Sequence, residues 1–174
     1  MADRRGGALG RRELERLLDA TPPLVSGLRD RVAQLQPNGI DVTLARVWSL
    51  VGPLRLGTED ADRQLPERRE LPFDGDGWLH LAPGAYVALI GEAVHLPDDL
   101  IALMRPRSSL LRGGVSVHTA VWDAGYVGRS ELLLVVHNPA GFDVQQGARI
   151  AQLVFFRLEE ATDRYRGRYQ GEHL

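Results

Sequence analysis

Two residue types are missing from this 174-residue chain. It has no cysteine and, because all 21 of its basic residues are arginine, no lysine. Without cysteine there is no disulfide framework, thiol nucleophile, iron–sulfur cluster or cysteine-ligated zinc site. Without lysine there is no Schiff-base chemistry and no phosphate-loop lysine. A surplus of one charge is lacking too. The 21 basic residues face 23 acidic ones, a net charge of −2, so no whole-molecule field draws in nucleic acid or an anionic membrane. Long apolar runs are also scarce. Leu132–Val136 is far too short to span a bilayer, and no apolar stretch of the kind found in a secretion signal follows Met1–Arg12. A cytoplasmic protein is the expectation.

What is present suits one ordinary domain. Apolar residues make up 44% and charged residues 25% of the chain, within the range of globular proteins. At this length roughly two-thirds of the unfolded surface can be buried without a disulfide or metal staple. Residues 1–34 read as helical. Leu14, Leu17 and Leu18 share one helical face within Arg11–Asp19, and Thr21-Pro22-Pro23 ends that segment. Leu24–Leu35 is a second helical candidate, closed by the Pro37-Asn38-Gly39 turn.

From Ile40 the pattern changes to strands, with Ile40, Val42, Leu44 and Val47 interleaved with polar residues. Residues 52–77 read as a long polar connection. Short apolar runs then recur at Trp78–Leu81, Tyr86–Ile90, Leu100–Met104, Val115–Val117, Leu132–Val136 and Ile150–Phe156, with Gly, Pro, Asn and Asp between them. That spacing predicts an all-β sandwich, barrel or jelly roll. Ser108–Arg112 interrupts it as one short helix, with Ser as its N-cap and Gly113 as its stop.

Four segments could carry chemistry. In Arg105–Arg112, two hydroxyls and unpaired backbone N–H groups at a helix start, flanked by arginine, suit an anion, and equally suit a capped helix with solvated arginines. In Thr119–Gly128, two glycines bracket Tyr126 beside the single carboxylate of Asp123. This is either a tight hairpin with a turn Asp or a pocket whose Asp123 is a general base. In Gly147–Leu153, Gln152 is polar within a half-buried strand and needs a cross-strand partner or a ligand. The tail from Tyr165 to Glu172 interleaves Arg and Tyr with Gly, as a frayed end or as an arm over an anionic ligand. The five His lack metal-ligand spacing. Asp74-Gly75-Asp76-Gly77 starts like a calcium loop but has Ala85 where that loop needs Glu.

In this order, the segments resemble the dUTPase and dCTP deaminase superfamily, nearest its archaeal-type dUTPases. The resemblance rests on Pro106–Leu110, Thr119–Tyr126, Gly147–Leu153 and Tyr169–Gly171, with Gln36–Asp41 as an early motif, and it covers about residues 22–172. It implies a mainly β fold, a distorted barrel or jelly roll (β-clip) preceded by short N-terminal helices, assembled as a homotrimer with active sites at subunit interfaces. The implied domains are a helical extension at 1–21, a β domain at 22–158 and a closing arm at 159–174.

The implied activity is hydrolysis of dUTP to dUMP and pyrophosphate, assisted by magnesium held mainly by the triphosphate and water. Asp123 matches the carboxylate that activates water. Tyr126 matches the aromatic that packs on deoxyribose. Arg107, Ser108, Ser109, Arg112 and Gln152 match phosphate-binding positions, and Tyr165, Arg168, Tyr169 and Gln170 resemble the arm. Backbone around His118, Ala120 and Trp122 is expected to read the base. The superfamily's deaminases carry a catalytic Glu where this chain has Leu133 or Val135. The nearby Glu131 then reads as a solvated strand-edge residue, and Glu172, where a deaminase usually has Gln, is expected to contact something other than the triphosphate. Plain dUTP diphosphatase activity is therefore expected. The alternatives are a bifunctional dCTP deaminase and dUTPase using Glu131, or a deoxynucleotide-binding protein without turnover.

Overall fold

A computed structural model describes residues 6–174; the first five residues of the expected N-terminal helical region lie outside it. Fourteen strands and three helices follow in order. They are β1 (Gly7–Ala8), α1 (Arg11–Leu18), β2 (Val25–Ser26), α2 (Arg31–Gln34), β3 (Leu35–Gln36), β4 (Gly39–Val51), β5 (Glu67–Glu70), β6 (Trp78–Leu81), β7 (Gly84–Ile90), β8 (Ala93–His95), β9 (Leu100–Pro106), α3 (Ser108–Arg112), β10 (Val115–His118), β11 (Val127–Gly128), β12 (Glu131–Val136), β13 (Phe142–Gln145) and β14 (Arg149–Arg157). The mainly β expectation holds, and no described helix is long and apolar enough to cross a membrane.

The strands form a curled nine-stranded sheet in the order β1-β14-β4-β7-β12-β10, with β3 and β5 also pairing β4 and β9 pairing β14. All of its pairings are antiparallel. β4 explains the curl. Its first half, Ile40–Thr43, pairs β14, and from Leu44 onward it pairs β7, with irregularities where one partner gives way to the other. A bulge is how a strand bends from one sheet into another. Ile40, Val42, Leu44 and Val47 are all buried, as their spacing requires, and they meet Leu132, Leu134 and Val136 of β12 and Leu153 and Phe155 of β14 in one core. The period of two is visible in β12, where the alternate Leu133 is exposed.

Two expectations near the N-terminus part company. Arg11–Leu18 is a helix that buries Leu14 and Leu18. Leu24–Leu35 is not a helix. It breaks into β2, a glycine with left-handed φ at Gly27, and the one-turn α2. Val25 is drawn into pairing with Val94 of β8, and Asp30 stops any longer helix by capping α2 through Ala33 N–H. Residues 52–77 are also more than a connection. Glu67–Glu70 pairs the exposed end of β4. With all four residues exposed, this strand has no apolar alternation to betray it.

The core also holds a polar knot. Glu92, fully buried, accepts hydrogen bonds from Gln34 Nε2 (2.6 Å), Thr43 Oγ1 (2.8 Å) and Thr43 N–H (2.9 Å). Those donors come from α2 and β4, so one satisfied carboxylate ties both elements to the β7–β8 corner.

Candidate active site

The Thr119–Gly128 segment builds one wall of the site. Trp122 pairs Ala102 through two backbone hydrogen bonds, of 3.0 and 3.1 Å. The chain then turns, with Tyr126 N–H donating to Asp123 C=O at 3.1 Å. The flanking strands do not pair with each other, because β10 pairs β12 and β11 pairs β8. The segment is therefore a turn between two sheets and not a hairpin. Both glycines are required by close approach. Gly125 has φ +78°, and a Cβ there would sit 2.6 Å from Arg164 Cβ. One on Gly128 would sit 2.5 Å from the Tyr126 hydroxyl.

A cavity of about 410 Å³ opens beside this turn. Ala120, Val121, Trp122, Asp123 and Tyr126 line one side, and Ser130 and Glu131 form its floor. Leu65 and Arg68 reach in from the 52–77 excursion, and Tyr165, Tyr169 and Glu172 from the tail. Behind it runs a chain of hydrogen bonds with one direction. Trp122 Nε1–H donates to Ser130 Oγ (2.7 Å), Ser130 and the Tyr126 hydroxyl share a bond of 2.8 Å, and the Tyr126 hydroxyl donates to Glu172 Oε1 (2.9 Å). Tyr126 is buried, with Tyr165 edge-on at 5.8 Å between ring centroids. Burial holds its phenol far above the ordinary value, so it stays a donor.

Three carboxylates line the cavity, and the structure sorts them. Glu172 is pushed up, first by burial and then by the charge of Glu131, with its bond from Tyr126 opposing. Glu172 thus contacts Tyr126, in line with the expectation that it serves something other than a phosphate. Glu131 receives Arg68 Nη1 at 2.6 and 2.7 Å and sits 3.0 Å from His173 Nε2. Glu131 does open its strand, pairing only Leu89 of β7 because β10 meets β12 from Leu133 onward, but its carboxylate is half-buried and ion-paired, which corrects the expectation that it is simply solvated. Asp123 is exposed at the cavity rim, and among the described residues nothing bonds its carboxylate. It is the one free to take a proton from water.

The tail is docked, not frayed. Tyr165 N–H donates to Ala124 C=O (2.7 Å), and Gly171 N–H to Val127 C=O (2.7 Å). The Gln170 side chain accepts from Val127 N–H (3.1 Å) and donates to Gly125 C=O (3.0 Å), standing in for a strand partner. Arg168 is exposed. His118 is exposed as well, 3.1 Å from Ser116 Oγ, and lines a shallower hollow that shares Ala120 and Glu131 with the main cavity.

The predicted phosphate-binding residues gather elsewhere. α3 spans Ser108–Arg112 as expected, but its cap is Arg107, with no side-chain bond, so the serine hydroxyls are not spent on capping. Ser108, Ser109 and Arg112 are exposed. Arg107 Nε lies 3.2 Å from Asp41, and Arg107 Nη1 donates to Arg149 C=O at 3.3 Å. The buried Asp41 also receives Arg149 Nη1 (3.2 Å) and Gln152 Nε2 (3.4 Å). Burial pushes the Asp41 carboxyl up, opposed by Arg107 and Arg149. None of Arg107, Ser108, Ser109, Arg112 or Gln152 lines the cavity at Asp123. The site residues therefore form two groups on one chain. Sequence reasoning missed Arg68, Ser130 and the orienting parts of Arg149 and Asp41. The places of Arg149 in Gly147–Leu153 and of Asp41 in the early motif offered a signal.

Comparison with known proteins identifies the family. A family model for dCTP deaminase-like proteins matches residues 8–158. A probable deoxyuridine 5'-triphosphate nucleotidohydrolase of Methanococcoides burtonii is 46% identical over 167 residues, covering 95% of this chain and 98% of that protein. A protein of the same description from Archaeoglobus fulgidus is 46% identical over 151 residues, covering 87% of this chain and 89% of its own length. Among solved structures, the 2'-deoxycytidine 5'-triphosphate deaminase of Agrobacterium tumefaciens superposes with a TM-score of 0.65 at 24% identity. The match covers 88% of this chain and 49% of that one, so the present chain spans about half the deaminase chain and shares its fold. On the family model and on these relatives, the chain belongs to the dCTP deaminase-like family.

Proposed function

We propose that the chain is a dUTP nucleotidohydrolase, cleaving dUTP to dUMP and pyrophosphate. The observation that carries this reading is Asp123, an exposed carboxylate with no partner among the described residues, at the rim of an aromatic-walled cavity, in a chain whose relatives are named for that reaction. Asp123 accepts a proton from a water molecule as its oxygen attacks the α-phosphorus. The bond from that phosphorus to the α–β bridging oxygen breaks, and pyrophosphate leaves. The Tyr126 face, capped by Tyr165, walls the sugar side. Backbone at His118, Ala120 and Trp122 meets the base.

The triphosphate needs Arg107, Ser108, Ser109, Arg112 and Gln152, which lie apart from the Asp123 cavity within one chain. This separation supports a homotrimer whose sites combine the Asp123 group of one copy with the Arg107 group of another. The two exposed hydroxyls and the guanidinium held by Asp41 suit phosphate oxygens. Residues 159–174 act as the arm, with Tyr165, Tyr169 and Gln170 already over the cavity and Arg168 placed to reach an anion.

Magnesium fits this donor set. Magnesium keeps several waters and is commonly carried on substrate phosphates, so it would enter mainly on the triphosphate and leave Asp123, at the cavity rim, as the base. Bound to the triphosphate, the ion would neutralise charge building on the leaving pyrophosphate. A free nucleotide substrate and a chain without cysteine fit a cytoplasmic setting. Replacing Asp123 with Asn tests the reading, since pyrophosphate release from dUTP should fall by at least about a thousandfold.

A further inference from the structure

Glu131 is the nearby carboxylate that a deaminase reading would have to use, yet its surroundings give it other work. Its two oxygens take Arg68 Nη1, and one of them also faces His173 Nε2. Arg68 belongs to the 52–77 excursion, 63 residues earlier, and His173 to the last turn of the tail, 42 residues later. These are two separate walls of the cavity, held by the pairing of β5 to β4 and of the tail to Ala124 and Val127, and exposed at these points: all four residues of β5 are exposed, and so is the tail from Arg166 to Gly171. Glu131, by contrast, opens β12, a strand of the main sheet, where its backbone pairs Leu89 of β7. A carboxylate already bonded to a guanidinium and facing an imidazole nitrogen is a poor proton shuttle and a good tie.

We propose that Glu131 is a positioning residue that fastens the 52–77 excursion and the C-terminal arm together over the cavity, so that substrate is held by a roof locked from both sides. This rests on the dUTP reading of the cavity for its catalytic consequence. The tie itself does not. Arg129 adds to the arm's side of it, its Nη1 donating to His173 C=O at 3.1 Å and its N–H to Glu172 C=O at 2.9 Å.

The absence of lysine makes trypsin a clean probe, because it cuts only after arginine. Arg164, Arg166 and Arg168 report on the arm, and Arg55, Arg63 and Arg69 on the excursion. With the purified protein, Glu131→Gln should speed cleavage at both sets, with sites elsewhere unchanged. It should also raise KM for dUTP about tenfold with kcat within about threefold, the scale of one lost charged hydrogen bond. His173→Asn keeps a residue tolerant of the left-handed φ of 56° at that position but is too short to reach Glu131, so it should speed cleavage in the arm alone. A uniform rise at every arginine would reflect general unfolding and overturn the proposal. So would wild-type cleavage and KM in Glu131→Gln, or loss of kcat with KM and cleavage unchanged, which would make Glu131 a participant in the chemistry. If the unaltered protein does not turn over dUTP, the functional reading fails, while the cleavage map still decides whether Glu131 is the tie.

Discussion

Asp41→Asn separates stability from function at the Arg107 group. Asp41 is 4% exposed at its side chain, while its partners Arg107 and Arg149 are 34% and 32% exposed. Two charge-assisted hydrogen bonds would each contribute about 1.5–3 kcal/mol, but burying a carboxylate costs several kcal/mol. The sign of the Asp41 shift shows which wins. Its carboxyl is pushed above the ordinary carboxylate value despite two arginines, so desolvation outweighs attraction. A raised folded-state value means Asp41 favours the folded state most at low pH and loses that contribution as pH rises through the folded value. Asparagine has the same shape without the charge, and the two arginines, a third exposed, can turn to water. The substitution should change stability at neutral pH by no more than about 1 kcal/mol, read by urea denaturation. Arg107, however, loses the charge that holds its Nε. KM for dUTP should rise about tenfold, the equivalent of about 1.4 kcal/mol. A loss of more than about 3 kcal/mol in stability with unchanged KM would refute the reasoning and make Asp41 a structural anchor only.

Two further outcomes follow from the same geometry. Glu92→Ala removes the acceptor of both Thr43 donors and of one of the two Gln34 Nε2 bonds, the other going to Asp41 C=O, and should cost about 3 kcal/mol, seen as a lower urea midpoint; a change below about 1 kcal/mol would show that water replaces the carboxylate. Burial raises Glu172, which faces Tyr126, Glu131, His173 and Arg68, so arm docking should weaken as pH rises through its folded value. Amide exchange at Gly171, corrected for its intrinsic pH dependence, should show this, and Glu172→Gln should abolish it.

Much of this architecture could be read from residue order. Period-two burial in β4 and β12 marks strands because one face meets the core, and Ser108–Arg112 stands out as a helix between Pro106 and Gly113. Leu24–Leu35 misleads because its apolar residues suit a helix locally, while pairing with β8 and the Asp30 cap decide otherwise. β5 is invisible because a strand exposed on both faces has no hydrophobic period. Asp123, Tyr126 and the Arg107 group are recognisable from motifs. Their grouping is not, because it depends on contacts such as Arg68 with Glu131, between residues far apart in sequence and of common surface types. The cross-strand reading of Gln152 holds as well, with Asp41 as its partner.

The central claim is that Asp123 drives hydrolysis of dUTP. Purified protein and its Asp123→Asn variant, each incubated with magnesium and either dUTP or dCTP, would be assayed for pyrophosphate and ammonia. The account predicts pyrophosphate from dUTP with the unaltered protein, almost none with the variant, and no ammonia from dCTP with either. Undiminished pyrophosphate release by Asp123→Asn, or ammonia from dCTP, would contradict it.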